Sequence, residues 1–344
     1  MRNTQAGAKK MGFEAGFAGG AVVFLWMVFS VFAFCSIANA APYPTRLVVS
    51  KDGTGDYSNI QDAINNCKSF PDQRITILVE PGVYEEKIVV NSWNTRISLI
   101  GIDADRTVIR WSDAAEGRKN GTFWSYTMLV QANDFRAENL TIENAAGSGP
   151  GIGQAVALHV ESDRVVIDAC RLIADQDTLY AAGENSRQLY RNCYIEGTTD
   201  FIFGEGTAVF ENCQIHCKTA SFITAASTAE GVRFGYVFLD CKLSFAQGVD
   251  NVYLGRPWRP FAKTVFVRCD LGNGIHPEGW SRWGYKYAET HYAEFECTGA
   301  GADRSERVDW SFELSEDEAK LYTKDHVFNN GLQDPVPLRD WYKD

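Results

Sequence analysis

The sequence is short of basic residues, and those it has are not clustered. Its 344 residues contain 33 Lys and Arg against 44 Asp and Glu, which gives a net charge of −11 at pH 7. A nucleic-acid-binding protein needs clustered Lys and Arg to neutralise phosphates, so we expect no nucleic-acid partner. Residues 41–344 also lack a linker rich in Pro or Ser, which predicts a single domain there.

Two common catalytic patterns are missing as well. None of Ser125, Ser227 and Ser281 lies in a G-x-S-x-G context, which argues against a serine hydrolase. The histidines are scattered, without the spacing of a metal site or a catalytic triad. We therefore expect neither a metal ion nor a cofactor, and we interpret the five histidines as structural: His159, His216, His276, His291 and His326.

Helical periodicity is almost absent between Cys67 and Ser315. Short segments rich in branched residues and separated by Gly, Asn and Asp predict strands instead. Parallel strands usually need helical crossovers, so strands without helices between them indicate short connecting turns and an all-β fold, a parallel β-helix. A β-sandwich or a propeller is the alternative. The predicted strands are 46–50, 75–79, 87–90, 97–100, 108–110, 128–130, 137–142, 155–160, 165–167, 188–190, 208–210, 236–239 and 264–267.

A repeat supports the β-helix. Cys170, Cys193 and Cys213 lie between apolar positions, each with Leu or Ile two residues later, at spacings of 23 and 20 residues. Such periods are typical of chains that stack supersecondary units. Cysteine is small and apolar enough to fill the same inward position in successive coils. Because stacking brings the sulfurs together, we expect one or two disulfides at most, with Cys193–Cys213 the best candidate.

The ends of the chain have a different character. Residues 1–40 contain three basic residues, then an apolar run over 17–37, then Ala38-Asn39-Ala40, an order typical of a secretory signal peptide. We predict cleavage after residue 40 and secretion, either extracellular or to the cell envelope, without stable membrane insertion. An uncleaved membrane anchor is the alternative, because the run is long enough to span a bilayer.

Two short helices are predicted, one near each end of residues 41–344. A capping box of Ser58 and Gln61 begins the first helix, which would cover the open end of the stack. A second capping box, of Ser315 and Glu318, begins the other helix. The tail after it contains Pro335, Pro337 and Trp341 and is expected to wrap along the outside of the stack.

Two acids share the spacing of the cysteines. Asp177 and Asp200 are 23 residues apart, and each follows its repeat cysteine by seven residues. In stacked coils their carboxyls would lie on neighbouring strands, about 5 Å apart. Aspartate is also a common turn former. However, a carboxyl beside a like charge and among aromatics, as in Asp200-Phe201-Ile202-Phe203, has a raised pKa, so one acid can hold a proton while the other is ionised.

Three further side chains suit a site around these acids. Arg256 lies between Gly255 and Pro257, and its guanidinium could clamp a carboxylate at two points. A solvated surface cation is the simpler interpretation of an arginine. Trp258 offers a flat face to a sugar ring, and the Gln154 amide, among small apolar residues, could donate to a developing oxyanion.

The segments 154–158, 176–180, 200–204 and 254–258 resemble the ordered signature blocks of pectin methylesterases, carbohydrate esterases that demethylate polygalacturonate. Segments 82–86 and 277–280 resemble an early and a late block of the same family, so the resemblance extends from about residue 47 to residue 341. It implies a right-handed parallel β-helix, a single catalytic domain and a cleft that binds methylesterified pectin (homogalacturonan). We expect a monomer.

The resemblance also implies roles for individual residues. Asp200, oriented by Arg256, would attack the C6 carbonyl of a methyl galacturonate unit, while the amides of Gln154 and Gln176 stabilise the oxyanion. Asp177 would protonate the departing methanol and then activate water. The resemblance also suggests Phe123 as a subsite residue, but Trp124-Ser125-Tyr126 departs from the family pattern and leaves the exact shape of that subsite open. The implied substrate-binding residues are Thr127, Gln154, Tyr180, Phe203, Arg256, Trp258 and Trp280.

Two other functions compete with an aspartyl esterase. A pair of carboxylates about 5 Å apart also suits a retaining glycosidase, and a lyase acting on the polysaccharide backbone has the same kind of substrate. The amides and Arg256 favour an oxyanion over an oxocarbenium ion. The third hypothesis is a pectin-binding protein without activity.

Overall fold

The computed structural model describes residues 43–116, 121–330 and 340–343. The predicted signal peptide, Pro335 and Pro337 lie outside these residues. The strands, in chain order, are β1 Arg46–Val49, β2 Ile75–Val79, β3 Gly82–Glu85, β4 Ile88–Val90, β5 Ile97–Gly101, β6 Thr107–Trp111, β7 Met128–Val130, β8 Arg136–Glu138, β9 Thr141–Asn144, β10 Leu158–Val160, β11 Val165–Asp168, β12 Arg171–Ile173, β13 Leu179–Ala181, β14 Arg187–Arg191, β15 Tyr194–Gly197, β16 Ile202–Gly204, β17 Thr207–Glu211, β18 Gln214–Cys217, β19 Phe222–Ala226, β20 Tyr236–Leu239, β21 Lys242–Phe245, β22 Tyr253–Gly255, β23 Lys263–Val267, β24 His291–Phe295 and β25 Phe312–Glu313.

These strands form three parallel sheets that enclose one core. Sheet A has the order β1-β2-β5-β8-β11-β14-β17-β20-β23-β24-β25, sheet B the order β3-β6-β9-β12-β15-β18-β21, and sheet C the order β4-β7-β10-β13-β16-β19-β22. Each central coil therefore adds one strand to each sheet. The fold is a right-handed parallel β-helix, as predicted, and the alternatives of a sandwich or a propeller are wrong.

The corner between sheets A and B explains the cysteine repeat. In seven coils one residue adopts a left-handed backbone, with φ between 47° and 55°, and the next side chain points into the core. Asn and Asp tolerate this conformation better than most residues. The predicted strand 137–142 is split at such a corner, because Asn139 has φ 55°. The corner residues are Asn139, Ala169, Asn192, Asn212, Asp240, Arg268 and Glu296.

The cysteines stack inside the core but are not bonded to one another. Cys170, Cys193 and Cys213 are buried at successive corners, and every cysteine of the described residues is a free thiol. The predicted Cys193–Cys213 disulfide is therefore wrong. The Cys193 thiol donates to the carbonyl of Ile167 at 3.3 Å, and the Cys213 thiol donates to that of Tyr190 at 3.4 Å. Each thiol is thus satisfied by the backbone of the preceding coil.

Helices lie at both ends of the stack. Helix α1 (Ile60–Asn65) buries its apolar face on the N-terminal coils, as predicted, but its cap is Asn59, which accepts from the Asp62 amide at 2.8 Å. The Ser58 capping box is therefore wrong. Helix α2 (Glu316–Ala319) begins at the predicted Ser315 capping box.

The C-terminal residues pack against the outside of sheet A. Helix α3 (Lys324–Asn330) and Trp341 contribute to an apolar cluster with the outward side chains of that sheet, such as Val209. The Arg136 guanidinium donates to the Trp341 carbonyl at 3.1 Å. No helix within the described residues is long and apolar enough to cross a membrane.

Candidate active site

The structure brings Asp177 and Asp200 together at the edge of sheet C. Strands β13 and β16 pair so that Leu179 lies beside Ile202, an offset of 23 residues. Asp177 and Asp200 each precede the first residue of their strand by two residues, so the acids also lie beside each other. The Asp177 amide donates to the Thr199 carbonyl at 3.1 Å, which holds the two loops in that register. The acids are 8% and 6% exposed and line one cleft.

Arg256 follows the end of β22 and forms two hydrogen bonds with Asp200. Its Nε donates to Asp200 Oδ1 at 2.9 Å, and its Nη2 donates to Oδ2 at 2.6 Å. The guanidinium lies between two aromatic rings, with its central carbon 3.9 Å from the centre of Phe222 and 4.0 Å from that of Trp283. The rings restrict the guanidinium and limit its access to water, which strengthens the ion pair.

The two glutamines sit side by side on neighbouring coils. The Ala155 amide donates to the Gln176 carbonyl at 3.0 Å, so the residues before β10 and β13 run in register. Both side chains line the cleft, and neither side-chain amide has a hydrogen-bond partner within the part of the chain that the structure describes. These amides are free to donate to a bound molecule.

The cleft has a volume of about 290 Å³ and opens to solvent. Its walls are Thr122, Phe123, Gln154, Gln176, Asp177, Asp200, Phe203, Ala225, Arg256, Trp258 and Trp283.

The two carboxyls have different electrostatic environments. Burial raises the pKa of Asp177 well above its ordinary value, the nearby Asp200 raises it further, and Arg256 opposes both effects. Burial also raises the pKa of Asp200, but there the hydrogen bonds and charge of Arg256 act directly against it. When the pair holds a single proton, that proton therefore resides on Asp177.

An aromatic row runs along the outer face of sheet C beside the acids. Tyr180 lies between His159 and Phe203, with ring centres 4.5 Å from each, and its ring is nearly parallel to that of Phe203. Phe123 lies 5.2 Å from Tyr180, and Trp258 lies 5.9 Å from Phe203. The row offers a continuous apolar surface beside the acids.

Two predicted substrate-binding residues do not reach the cleft. Thr127 is fully buried, and its hydroxyl donates to the Glu143 carbonyl at 2.9 Å. Trp280 is also fully buried, stacks on Tyr292 at 4.5 Å and donates from Nε1 to Glu294 at 3.3 Å. Their predicted substrate contacts are corrected to packing roles, because both side chains are used inside the core.

Phe222 and Trp283, which hold Arg256 between them, were not predicted from the sequence. A signal for Trp283 was present, because it follows Trp280 by three residues. In an extended segment an odd separation places two side chains on opposite faces, so a buried Trp280 leaves Trp283 outside. Phe222 carries no comparable signal, because its contact depends on how β19 stacks beside β22.

Comparison with known proteins gives the family. The family model described as Pectinesterase matches residues 46–331. The chain belongs to the pectinesterase family. It is 39% identical over 310 residues to Pectinesterase 31 of Arabidopsis thaliana, an alignment that covers 86% of this chain and 95% of that protein.

Solved structures agree with this assignment. The pectin methylesterase from carrot is 32% identical with a TM-score of 0.78, over 83% of this pectinesterase and 93% of that chain. A pectin methylesterase in complex with a hexasaccharide is 28% identical with a TM-score of 0.72, over 85% and 98% of the two chains. The family resemblance inferred from the sequence motifs is thereby confirmed.

Proposed function

We propose that this pectinesterase removes methyl esters from the galacturonate units of pectin with Asp200 as the nucleophile. The observation that carries the proposal is the two-point contact of Arg256 with Asp200, beside a second buried carboxyl, Asp177, whose pKa burial raises well above its ordinary value. The related pectin methylesterase solved with a hexasaccharide supports an oligosaccharide as the occupant of the cleft.

In the first step, a carboxylate oxygen of Asp200 attacks the C6 carbonyl carbon of the ester. The carbonyl π electrons move to oxygen, and the amides of Gln154 and Gln176 donate to the resulting oxyanion. When the tetrahedral intermediate collapses, the bond to the methoxy oxygen breaks and Asp177 transfers its proton to that oxygen. Methanol leaves, and the galacturonyl group remains on Asp200 as an anhydride.

In the second step, water replaces the enzyme carboxylate. Asp177, now ionised, takes a proton from water as the water oxygen attacks the C6 carbonyl carbon. Collapse of this second intermediate returns Asp200 to its carboxylate form and leaves the galacturonate acid, which loses its proton to solvent. Asp177 ends protonated, so the overall reaction consumes one ester and one water and yields one acid and one methanol.

Cleavage of the polysaccharide backbone is the competing reaction for two neighbouring acids. Free amides and a guanidinium bound to one acid suit a carbonyl centre better than a glycosidic bond, because they stabilise an anion and not an oxocarbenium ion. Methanol and reducing ends should be measured together on defined methylated oligogalacturonides. We expect one methanol per ester with chain length unchanged. New reducing ends, or binding without methanol release, would contradict the proposal.

We further propose that the protein is secreted as a monomer after cleavage behind Ala40. The basic, apolar and small-residue order of residues 1–40 supports the secretion and the cleavage. N-terminal sequencing of the protein from culture medium should begin at residue 41, and light scattering should give the mass of one chain. A cell-bound protein that retains residues 1–40 would contradict the cleavage.

A further inference from the structure

The segment 277–283 is joined directly to the strand that presents Arg256. The Leu254 amide donates to the Gly279 carbonyl at 2.8 Å, and the Ser281 amide donates to the Gly255 carbonyl at 3.0 Å. The segment thus continues sheet C by one rung beside β22. Its last residue, Trp283, provides one of the two rings that enclose the Arg256 guanidinium. The position of this segment therefore decides where that ring lies.

Two side chains of the core hold the segment in place. The indole of Trp280 stacks on Tyr292 and donates from Nε1 to Glu294 at 3.3 Å. Arg307 donates to the Pro277 carbonyl at 2.9 Å and lies across Gly279, which has φ 69°. A Cβ at Gly279 would approach the Arg307 side chain to 2.5 Å, so the close packing of the two requires glycine.

Glu294 is the acceptor that both of these side chains share. It lies in β24, is 2% exposed, and accepts from Arg307 Nε at 2.9 Å and Nη2 at 3.0 Å as well as from Trp280. Arg304 donates to it at 2.7 Å. A single buried carboxylate thus contacts two guanidinium groups, and its removal would leave Arg307 buried without its counter-ion.

We propose that Glu294 is a positioning residue for the ester hydrolysis described above. Through Trp280 and Arg307 it fixes the segment 277–283, and thereby the Trp283 ring against which Arg256 holds Asp200. This inference rests on the proposed function of Asp200. Glu294 contacts no reacting atom, so it acts on the reaction only through the geometry of Arg256.

A purely structural role makes a different prediction. If Glu294 only stabilises the C-terminal coils, its replacement lowers the melting temperature but leaves the active site of the folded fraction unchanged. If it positions Arg256, its replacement also changes the pH profile and the accessibility of that arginine. The neighbouring Glu313 is a matched control, because it pairs with Glu294 across β24 and β25, lies 3.9 Å from the same Arg304 and is exposed.

The test compares Glu294→Gln with Glu313→Gln in the full protein. We expect Glu294→Gln to lower kcat on methylated pectin by about tenfold to a hundredfold, the range for a displaced catalytic group. The acid limb of the pH–activity profile of Glu294→Gln should move to higher pH, because a displaced Arg256 stabilises ionised Asp200 less. Glu313→Gln should match wild type in both measurements. The double variant Glu294→Gln/Trp283→Phe should have a kcat only slightly lower than that of Glu294→Gln alone, because both changes act on the same contact.

Chemical modification of Arg256 does not depend on ester hydrolysis, so it tests this inference separately from the proposed function. Phenylglyoxal should modify Arg256 several times faster in Glu294→Gln than in wild type or Glu313→Gln. The modification is measured from the mass of the peptide that contains Arg256. An unchanged modification rate and pH profile in folded Glu294→Gln would overturn the inference. If that variant does not fold, Trp280→Phe, which keeps an aromatic ring but removes the donor to Glu294, decides by the same criteria. Wild type that releases no methanol would overturn the proposed function, whatever the modification rates.

Discussion

Arg256 and Asp200 form a two-point ion pair across three strands of sheet C, with hydrogen bonds of 2.9 and 2.6 Å. The guanidinium is planar and presents its donors in a fixed fork, so it sets the direction of the carboxylate as well as its charge. Both rings that enclose the guanidinium lie on other segments of the chain. The orientation of Asp200 therefore depends on the stacking of the coils.

Arg256→Lys tests the importance of that fork. Lysine keeps the charge but offers no planar two-point contact, so we expect kcat/KM for methylated pectin to fall by about 10²-fold. Methanol release checks this. Arg268→Lys is the control, because Arg268 makes a similar two-point contact with Asp240, at 2.8 and 2.8 Å, on the exposed outer corner. Equal activity of the two variants would show that charge alone suffices.

Replacement of the acids should separate catalysis from stability. Asp200→Asn removes the nucleophile, so methanol release should fall by about 10⁴-fold or more. Asp177→Asn should also be inactive, but it replaces a protonated carboxyl with a neutral group of the same shape and should fold normally. Circular dichroism and melting curves provide the control for folding. Substantial methanol release by folded Asp200→Asn would exclude Asp200 as nucleophile.

Stability should depend on pH through Asp177. Its pKa in the folded protein is raised, so between its unfolded and folded pKa values the folded state binds a proton that the unfolded state does not. Stability from this group is therefore present at low pH and declines as pH rises towards the folded pKa. The free energy of unfolding should be higher for Asp177→Asn than for wild type at about pH 7, and similar at about pH 4. A variant less stable than wild type at neutral pH would contradict this.

The pH dependence of activity should be bell-shaped. The reaction needs ionised Asp200 and protonated Asp177, so activity rises as pH passes the lower apparent pKa of the pair and falls as it passes the higher one. Burial raises the pKa of Asp200 above that of an exposed aspartate. Profiles of kcat/KM for wild type and Arg256→Lys should show the acid limb at higher pH in the variant. An acid limb that moves to lower pH would exclude Arg256 as the group that stabilises the carboxylate.

The thiols of the core should be reduced in the purified protein. The stacked Cys193 and Cys213 are buried, and each donates to a backbone carbonyl of the preceding coil, so no bond between coils needs to form. Under denaturing conditions a thiol reagent should titrate every cysteine, and a reductant should leave the melting temperature unchanged. The native protein, with its thiols buried, is the control and should react slowly. A melting temperature that drops with reductant would show a disulfide.

The spacing of residues along the chain was enough to predict the stack and the pair of acids. A repeat of 23 and 20 residues between inward cysteines implies coils in register, and the same offset of 23 residues brings Asp177 to Asp200. The residues that flank Arg256 made it a candidate, and the family resemblance implied its contact with Asp200. These predictions succeed because register along a parallel sheet follows directly from separation in the sequence.

Only the tertiary structure decided which way individual side chains face. The spacing of Trp280 and Trp283 places them on opposite faces, but only the structure shows that Trp280 is the one buried against Tyr292 and that Trp283 lies against Arg256. The tertiary structure also decided that the predicted strand is split at Asn139 and that the Cys193 thiol is not bonded to another cysteine. The physical reason is that one left-handed residue at a corner changes the direction of every side chain after it, and whether a residue takes that conformation depends on the coils above and below.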